Sequence, residues 1–334
     1  MDTVEKEKLA NLRHTFDLNY KLSHLYASLL TKYPELITKD MITALTDGTD
    51  ITKKEATVAL LSEIFGLDDG RGGDDRRLIR GYLSKSVTML DAKRYTENPY
   101  YKNIKIDDIK DGAWEFKWEV YPAYRAAICA DMVRESDGTE YAPLGFFDEE
   151  FKFLAVLEDG NEWMTLTPVD LDTSDYAIER ARGRVITFGL GLGYYAYMAS
   201  EKNEVESVTI VEKSEKVIEL FKKHILPQFK NRHKIRIVNA DAFEYAEKEM
   251  PNEDFDIAFV DTWRDASDGA PMYKKMKALE HLSPKTEFLY WIEEFLRSRL
   301  RAQRFEELYA LVEANSADAP KSYSEFLLML EQLY

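Results

Sequence analysis

The chain has 334 residues, 45% of them hydrophobic, and a formal net charge of −16 at pH 7. This composition excludes a disordered chain and leaves room for two or three structural units. It also argues against nucleic acid and anionic membranes as partners, because an acidic surface repels phosphate.

The single cysteine, Cys129, excludes an intramolecular disulfide. Its neighbours, YRAAICADMV, suit a buried, inert thiol. The first 30 residues lack the basic start and apolar core of a secretion signal, and no apolar run reaches the ~18 residues of a membrane span. A cytoplasmic location is expected.

Residues 1–110 read as a helical region. Leu9, Leu12, Phe16, Leu18, Leu22, Leu25 and Leu29 recur near helical spacing. Thr52 followed by Glu55 is a capping-box signature for a helix that closes at Gly66. DDGRGGDD (68–75) reads as a loop, and DRRLIRGYLSKSVTML after it as another helix.

Residues 111–176 read as a small β-rich unit. AWEFKWEVY alternates apolar and charged residues as a strand does. PAYRAAICADMV then reads as a helix. Short strands follow, with Asp159-Gly160 as a hairpin turn.

Residues 177–334 read as a Rossmann-like domain with a helical extension. RVITF, SVTIVE, KIRIV, DIAFVD and EFLYWI are short apolar runs, most of them separated by helix-like segments. Alternating strands and helices predict a mostly parallel, doubly wound sheet flanked by helices, and after Trp291 only helix is expected. The expected fold class is α/β, with the helical region and the small β-rich unit ahead of that sheet.

Ligands of such sheets bind outside the carboxyl ends of the strands. The first strand runs into Gly189-Leu190-Gly191-Leu192-Gly193, a turn whose bare backbone admits a close ligand and opens a helix. Tyr194 stands where a dinucleotide fingerprint needs a small residue. Of Tyr194 and Tyr195, one ring is expected to face the cleft. Glu212 ends the second strand, where a carboxylate can accept from a ribose diol, with Lys213 next to it. Asp241 and Ala242 follow the third strand, placed for an adenine, and Asp261 ends the fourth.

Residues 184–293 resemble the class I S-adenosylmethionine-dependent methyltransferase fold. VITFGLGLGYYAY resembles its glycine-rich motif, VTIVEKS its ribose motif, NADAF its adenine motif and FDIAFVD its fourth motif. The resemblance implies S-adenosyl-L-methionine as the donor. Gly189, Leu190, Gly191, Gly193 and Tyr194 would lie at its methionine and ribose end, Glu212 and Lys213 at the ribose, and Asp241 and Ala242 at the adenine. Asp261 would face the reacting centre. Thr187 stands where the family often has an acid. The antiparallel hairpin that usually ends the family's sheet has no counterpart after 293, so either the sheet is truncated or strands from 150–176 complete it.

Methyl transfer to a small-molecule acceptor is the expected activity. An alternative is aminopropyl transfer: VDTWRDASDGAP resembles a stretch of spermidine-synthase-like enzymes in which an aspartate matching Asp261 is thought to deprotonate the attacking amine. A third alternative is a non-catalytic protein that keeps the cleft. A metal-assisted O-methyltransferase would use Asp261 with Asp265 and Asp268, but the expected Asp-Asn pair is missing from the next strand, and no metal is expected. Trp163, Trp263 and Arg264 are substrate candidates, the tryptophans by ring stacking, although core packing is the commoner use of such tryptophans.

Overall fold

The five apolar runs of the last block pair into one sheet in the computed structural model, which describes residues 1–106 and 109–334. The chain divides into two units, one of residues 92–120, 152–296 and Tyr334, the other of 1–91, 121–151 and 297–333. The blocks 1–110, 111–176 and 177–334 each contribute to both units. Local composition carries no record of which segments later pack together.

In the first unit, strands β1 (Ile109–Asp111), β2 (Trp114–Tyr121), β3 (Phe151–Glu158) and β4 (Asn161–Leu166) form a four-stranded sheet in that order. Strands β3 and β4 are an antiparallel hairpin closed by Asp159 and Gly160, both with positive φ (49° and 77°). That is the backbone of a turn matching the strands' own twist.

Helix α1 (Pro168–Arg180) leads into β5 (Gly183–Phe188). Then follow α2 (Tyr194–Glu201), β6 (Val205–Glu212), α3 (Glu215–Leu220), β7 (Ile235–Asn239), α4 (Ala242–Lys248), β8 (Ile257–Val260), α5 (Ala266–Leu279) and β9 (Glu287–Tyr290). The strands lie in the order β7-β6-β5-β8-β9, every neighbour parallel. Val185, Ile186 and Phe188 of β5 and all of β8 are buried, as expected of a parallel sheet covered on both faces. The chain leaves β5 toward β6 and returns on the other side at β8, so the switch point lies between the ends of β5 and β8. The sheet stops at five strands, and β3 and β4 belong to the separate antiparallel sheet rather than completing it.

The second unit is mainly helical. Helices Thr3–Lys32 and Lys53–Ile64 each begin with a capping box, Asp2 with Glu5 and Thr52 with Glu55. Leu9, Leu12 and Phe16 pack with Phe305, Leu308, Phe326 and Leu330; complete burial of each such side chain contributes about 1.5–3 kcal/mol. Arg301 (1% exposed) is paired with Glu140 (6%).

Two expectations fail here. PAYRAAICADMV is not a helix: Tyr124, two residues after Pro122, has φ 61°, and Ala127–Ile128 pair as a strand with Leu144 and Gly145. Cys129 is buried against Gly145, where a Cβ would come within 2.7 Å of its own. The helix predicted through Leu90 ends by Ser86, and Val87–Leu90 pair in parallel with Leu144–Phe147. Among the described residues no helix is long and apolar enough to cross a membrane.

Candidate functional site

The end of β5 is tied to both its neighbours, β6 and β8, at the switch point. The Gly189 N–H bonds the Val211 carbonyl at 2.9 Å, and the Asp261 N–H bonds the Phe188 carbonyl at 2.8 Å. Gly189 has φ +100°, and a Cβ there would overlap the Asp261 carbonyl oxygen, so only glycine fits. Gly193 takes the left-handed conformation (φ +75°) that starts α2, with the Phe221 ring where its Cβ would be. Met164 of β4 covers Gly191, its sulfur 2.5 Å from a would-be Cβ. The bare positions that the sequence assigns to a ligand are thus faced by the protein's own atoms.

Of the acidic residues that end β6 and follow β7, Glu212 is bonded to the loop. Glu212 accepts from the Leu190 N–H (3.2 Å) and from the Ser214 N–H (2.7 Å). Each oxygen keeps a lone pair for a further donor. The Lys213 side chain is exposed, while its carbonyl and that of Glu212 both accept from Asn239 at 3.0 Å. Asp241 is exposed and caps α4, accepting from the Phe243 and Glu244 N–H groups at 2.9 and 3.1 Å. Ala242 is buried behind it.

Asp261 lines a small cavity of about 30 Å³, together with Gly189, Leu190, Thr187 and both Tyr194 and Tyr195. Both tyrosines after the glycine loop are among its lining residues. Asp170 and Ser174 of α1 enter the same cavity. Thus a carboxyl reaches the pocket where Thr187 supplies none. Asp170 also closes the start of α1, accepting from the Thr167 N–H and hydroxyl, both at 2.8 Å. Sequence reasoning missed it. The signal was Thr167-Pro168-Val169-Asp170, a capping-box pattern with proline at the first helical position.

Burial, with the negative charges of Asp170 and Glu212, pushes the Asp261 carboxyl up to about 8. Burial pushes Asp170 up to about 6, against the hydrogen bonds from Thr167. No Lys, Arg or His is among the described residues that line the cavity. Tyr194 accepts from the Asn98 side-chain amide at 2.9 Å. Tyr195 stacks on Phe259 (centroids 4.3 Å apart), and its hydroxyl is buried.

The order β7-β6-β5-β8-β9 with a glycine loop at the switch point is Rossmann-like. It is the fold that the methyltransferase resemblance implies. No known protein family and no curated protein matches the chain. Among solved structures, spermidine synthase from Thermotoga maritima is 15% identical with a TM-score of 0.32, covering 60% of this chain and 73% of its own. A spermidine synthase in complex with the transition state analogue AdoDATO is 14% identical, with the same TM-score and coverage. MNMC2 from Aquifex aeolicus is 16% identical, with a TM-score of 0.23, and covers 43% of this chain and 56% of its own.

The substrate candidates lie apart from Asp261's cavity. Trp163 lines a second, very small cavity of about 10 Å³, beside Gly191, Leu192 and Trp114. Trp263 is buried, stacked on Tyr290 and packed against Gly269. Arg264 is exposed, and its N–H bonds Asp268. Among the described residues no three His, Cys, Asp or Glu side chains are grouped to hold a metal ion.

Proposed function

We propose that the chain is a transferase that binds an S-adenosyl sulfonium donor at the glycine loop and transfers a methyl group to a small-molecule acceptor. The observation that carries this reading is the shared cavity of Asp170 and Asp261, acidic and without a basic lining residue, at the loop where β5 ends. A cationic guest relieves the mutual repulsion of the two carboxyls. Glu212, with its remaining lone pairs, would hold the ribose hydroxyls, and Asp241 would face the adenine.

The donor supplies an activated carbon on a positively charged sulfur. The acceptor's nucleophilic atom bonds to that carbon, the carbon–sulfur bond breaks with its electron pair left on sulfur, and Asp261 takes the acceptor's proton. Asp261 is a competent base once the cationic guest favours its ionised form. The cavity walls hold the reactants in line and exclude water, which supplies much of the rate.

Aminopropyl transfer is the second reading, favoured by the same lack of a basic residue: nothing cationic waits for a donor's carboxylate. The acidic surface supports a small molecule rather than nucleic acid as acceptor. Isothermal titration with S-adenosylmethionine and with its decarboxylated form tests the proposal. A Kd below about 1 mM for either supports a sulfonium donor, and binding of neither refutes it.

A further inference from the structure

A short stretch of chain that carries none of the donor motifs is bonded to several of the segments around Asp261. It belongs to the same unit as the five-stranded sheet. Its centre is the single helical turn Pro99–Asn103, which Asn98 caps by accepting from the Tyr100 N–H at 2.9 Å.

The Tyr100 hydroxyl donates to the Leu192 carbonyl, within the glycine loop, at 2.6 Å. The next residue, Tyr101, donates its hydroxyl to the Leu166 carbonyl at 2.5 Å. Leu166 ends β4, precedes the Thr167 cap of α1 and lines the cavity of Asp261. The Asn98 amide holds the hydroxyl of Tyr194, which lines the same cavity. Both Tyr100 and Tyr101 are buried. Burial raises the pKa of both phenols, so they remain donors throughout the neutral range. A further bond of this stretch lies elsewhere: the Asn103 amide donates to the Tyr197 hydroxyl at 2.8 Å, and Tyr197 does not line the cavity.

A carbonyl in an irregular loop lacks the partner that a helix or ladder provides, and once buried it must find another. Leu192 is such a residue, 1% exposed, and the Tyr100 phenol supplies that partner. We propose that Tyr100 and Tyr101 are positioning residues for the donor site: as neighbours in one turn they hold the glycine loop at Leu192 in fixed relation to the start of α1 at Leu166, and so shape the cavity that Asp170 and Asp261 share. This rests on the sulfonium-donor reading above. Neither tyrosine is among the residues that line the cavity, so each acts through the backbone it holds. A loop fixed before the ligand arrives costs less to order on binding.

The test compares Tyr100→Phe and Tyr101→Phe with Asn103→Ala, which cuts the same stretch from Tyr197. Each is followed by urea unfolding, by ligand-free hydrogen exchange and by titration with S-adenosylmethionine. All three variants lose some stability. Tyr100→Phe speeds exchange of the amides of 189–195 by about tenfold, and Tyr101→Phe does the same for 167–174. Both tyrosine variants bind S-adenosylmethionine about tenfold more weakly. Asn103→Ala keeps both exchange rates and affinity within about twofold of the wild type. Unchanged exchange of the loop in Tyr100→Phe overturns the proposal. So do equal losses of affinity in all three variants, which would mark the tyrosines as general supports; either result leaves the donor reading standing. If the wild type binds neither S-adenosylmethionine nor its decarboxylated form, the donor reading falls and the positioning role with it.

Discussion

The Glu212 carboxylate ties the end of β6 to the glycine loop after β5, with one oxygen on the Leu190 N–H (3.2 Å) and the other on the Ser214 N–H (2.7 Å). The residue expected to grip a ribose therefore first shapes the glycine loop. Glu212→Ala leaves both N–H groups without this partner. We expect a stability loss of about 1–3 kcal/mol in urea unfolding, together with weaker donor binding. Glu212→Gln keeps one acceptor oxygen and loses less of both. If the alanine variant weakens binding with unchanged stability, the clamp role is wrong.

The glycines of the loop differ in what an added methyl meets. At Gly189 it meets the backbone carbonyl of Asp261, which is fixed by the sheet, and at Gly191 the thioether of Met164, which has rotamers to spare. Gly189→Ala should cost more than about 3 kcal/mol, through strain at φ +100° and the clash. Gly191→Ala should cost about 1–2 kcal/mol. Equal losses by denaturant melting would contradict this ordering.

The strand ends were legible because parallel strands are buried on both faces and so read as unbroken apolar runs, each stopping where the chain meets solvent. Asp159-Gly160 and the Thr52–Glu55 cap were legible because their chemistry is local. Asp170 was not. Its capping pattern marks a helix start, while the cavity that start faces is set by how α1 packs beside the sheet. Met164 alternates within β4 like any strand residue, and nothing local places it over Gly191. The run 122–133 misled because its alanines favour helix, whereas the backbone at Tyr124 and the pairing of Ala127 with Gly145 decide otherwise.

The Asp261 carboxyl, raised to about 8 from an ordinary 3.8, makes stability and activity depend on pH in opposite directions. Between those values the folded state binds a proton that the unfolded state does not, so stability falls as pH rises from about 4 to about 8 and levels off above. Asp261→Asn removes this slope. The variant should match the wild type near pH 4 and exceed its stability at pH 8 by about 1–3 kcal/mol. Activity runs the other way. The base must be ionised, so kcat/KM of the wild type climbs through a limb near pH 8, and the variant lacks turnover. An unchanged stability slope, or retained turnover, removes Asp261 from these roles.

Asp170 tunes that limb through its charge. With its own carboxyl raised only to about 6, it is ionised at pH 8 and opposes ionisation of Asp261. Asp170→Asn keeps an oxygen for the Thr167 N–H and hydroxyl, so the start of α1 survives with a loss below about 1 kcal/mol. Without the like charge, Asp261 ionises more easily, and the limb of kcat/KM moves to lower pH by about one pH unit. Asp170→Ala shifts the limb equally but loses the cap, costing about 1 kcal/mol or more of stability. The two variants separate charge from capping: a common limb shift with different melting temperatures is the expected pattern. A limb that stays in place would mean that Asp170 serves α1 alone.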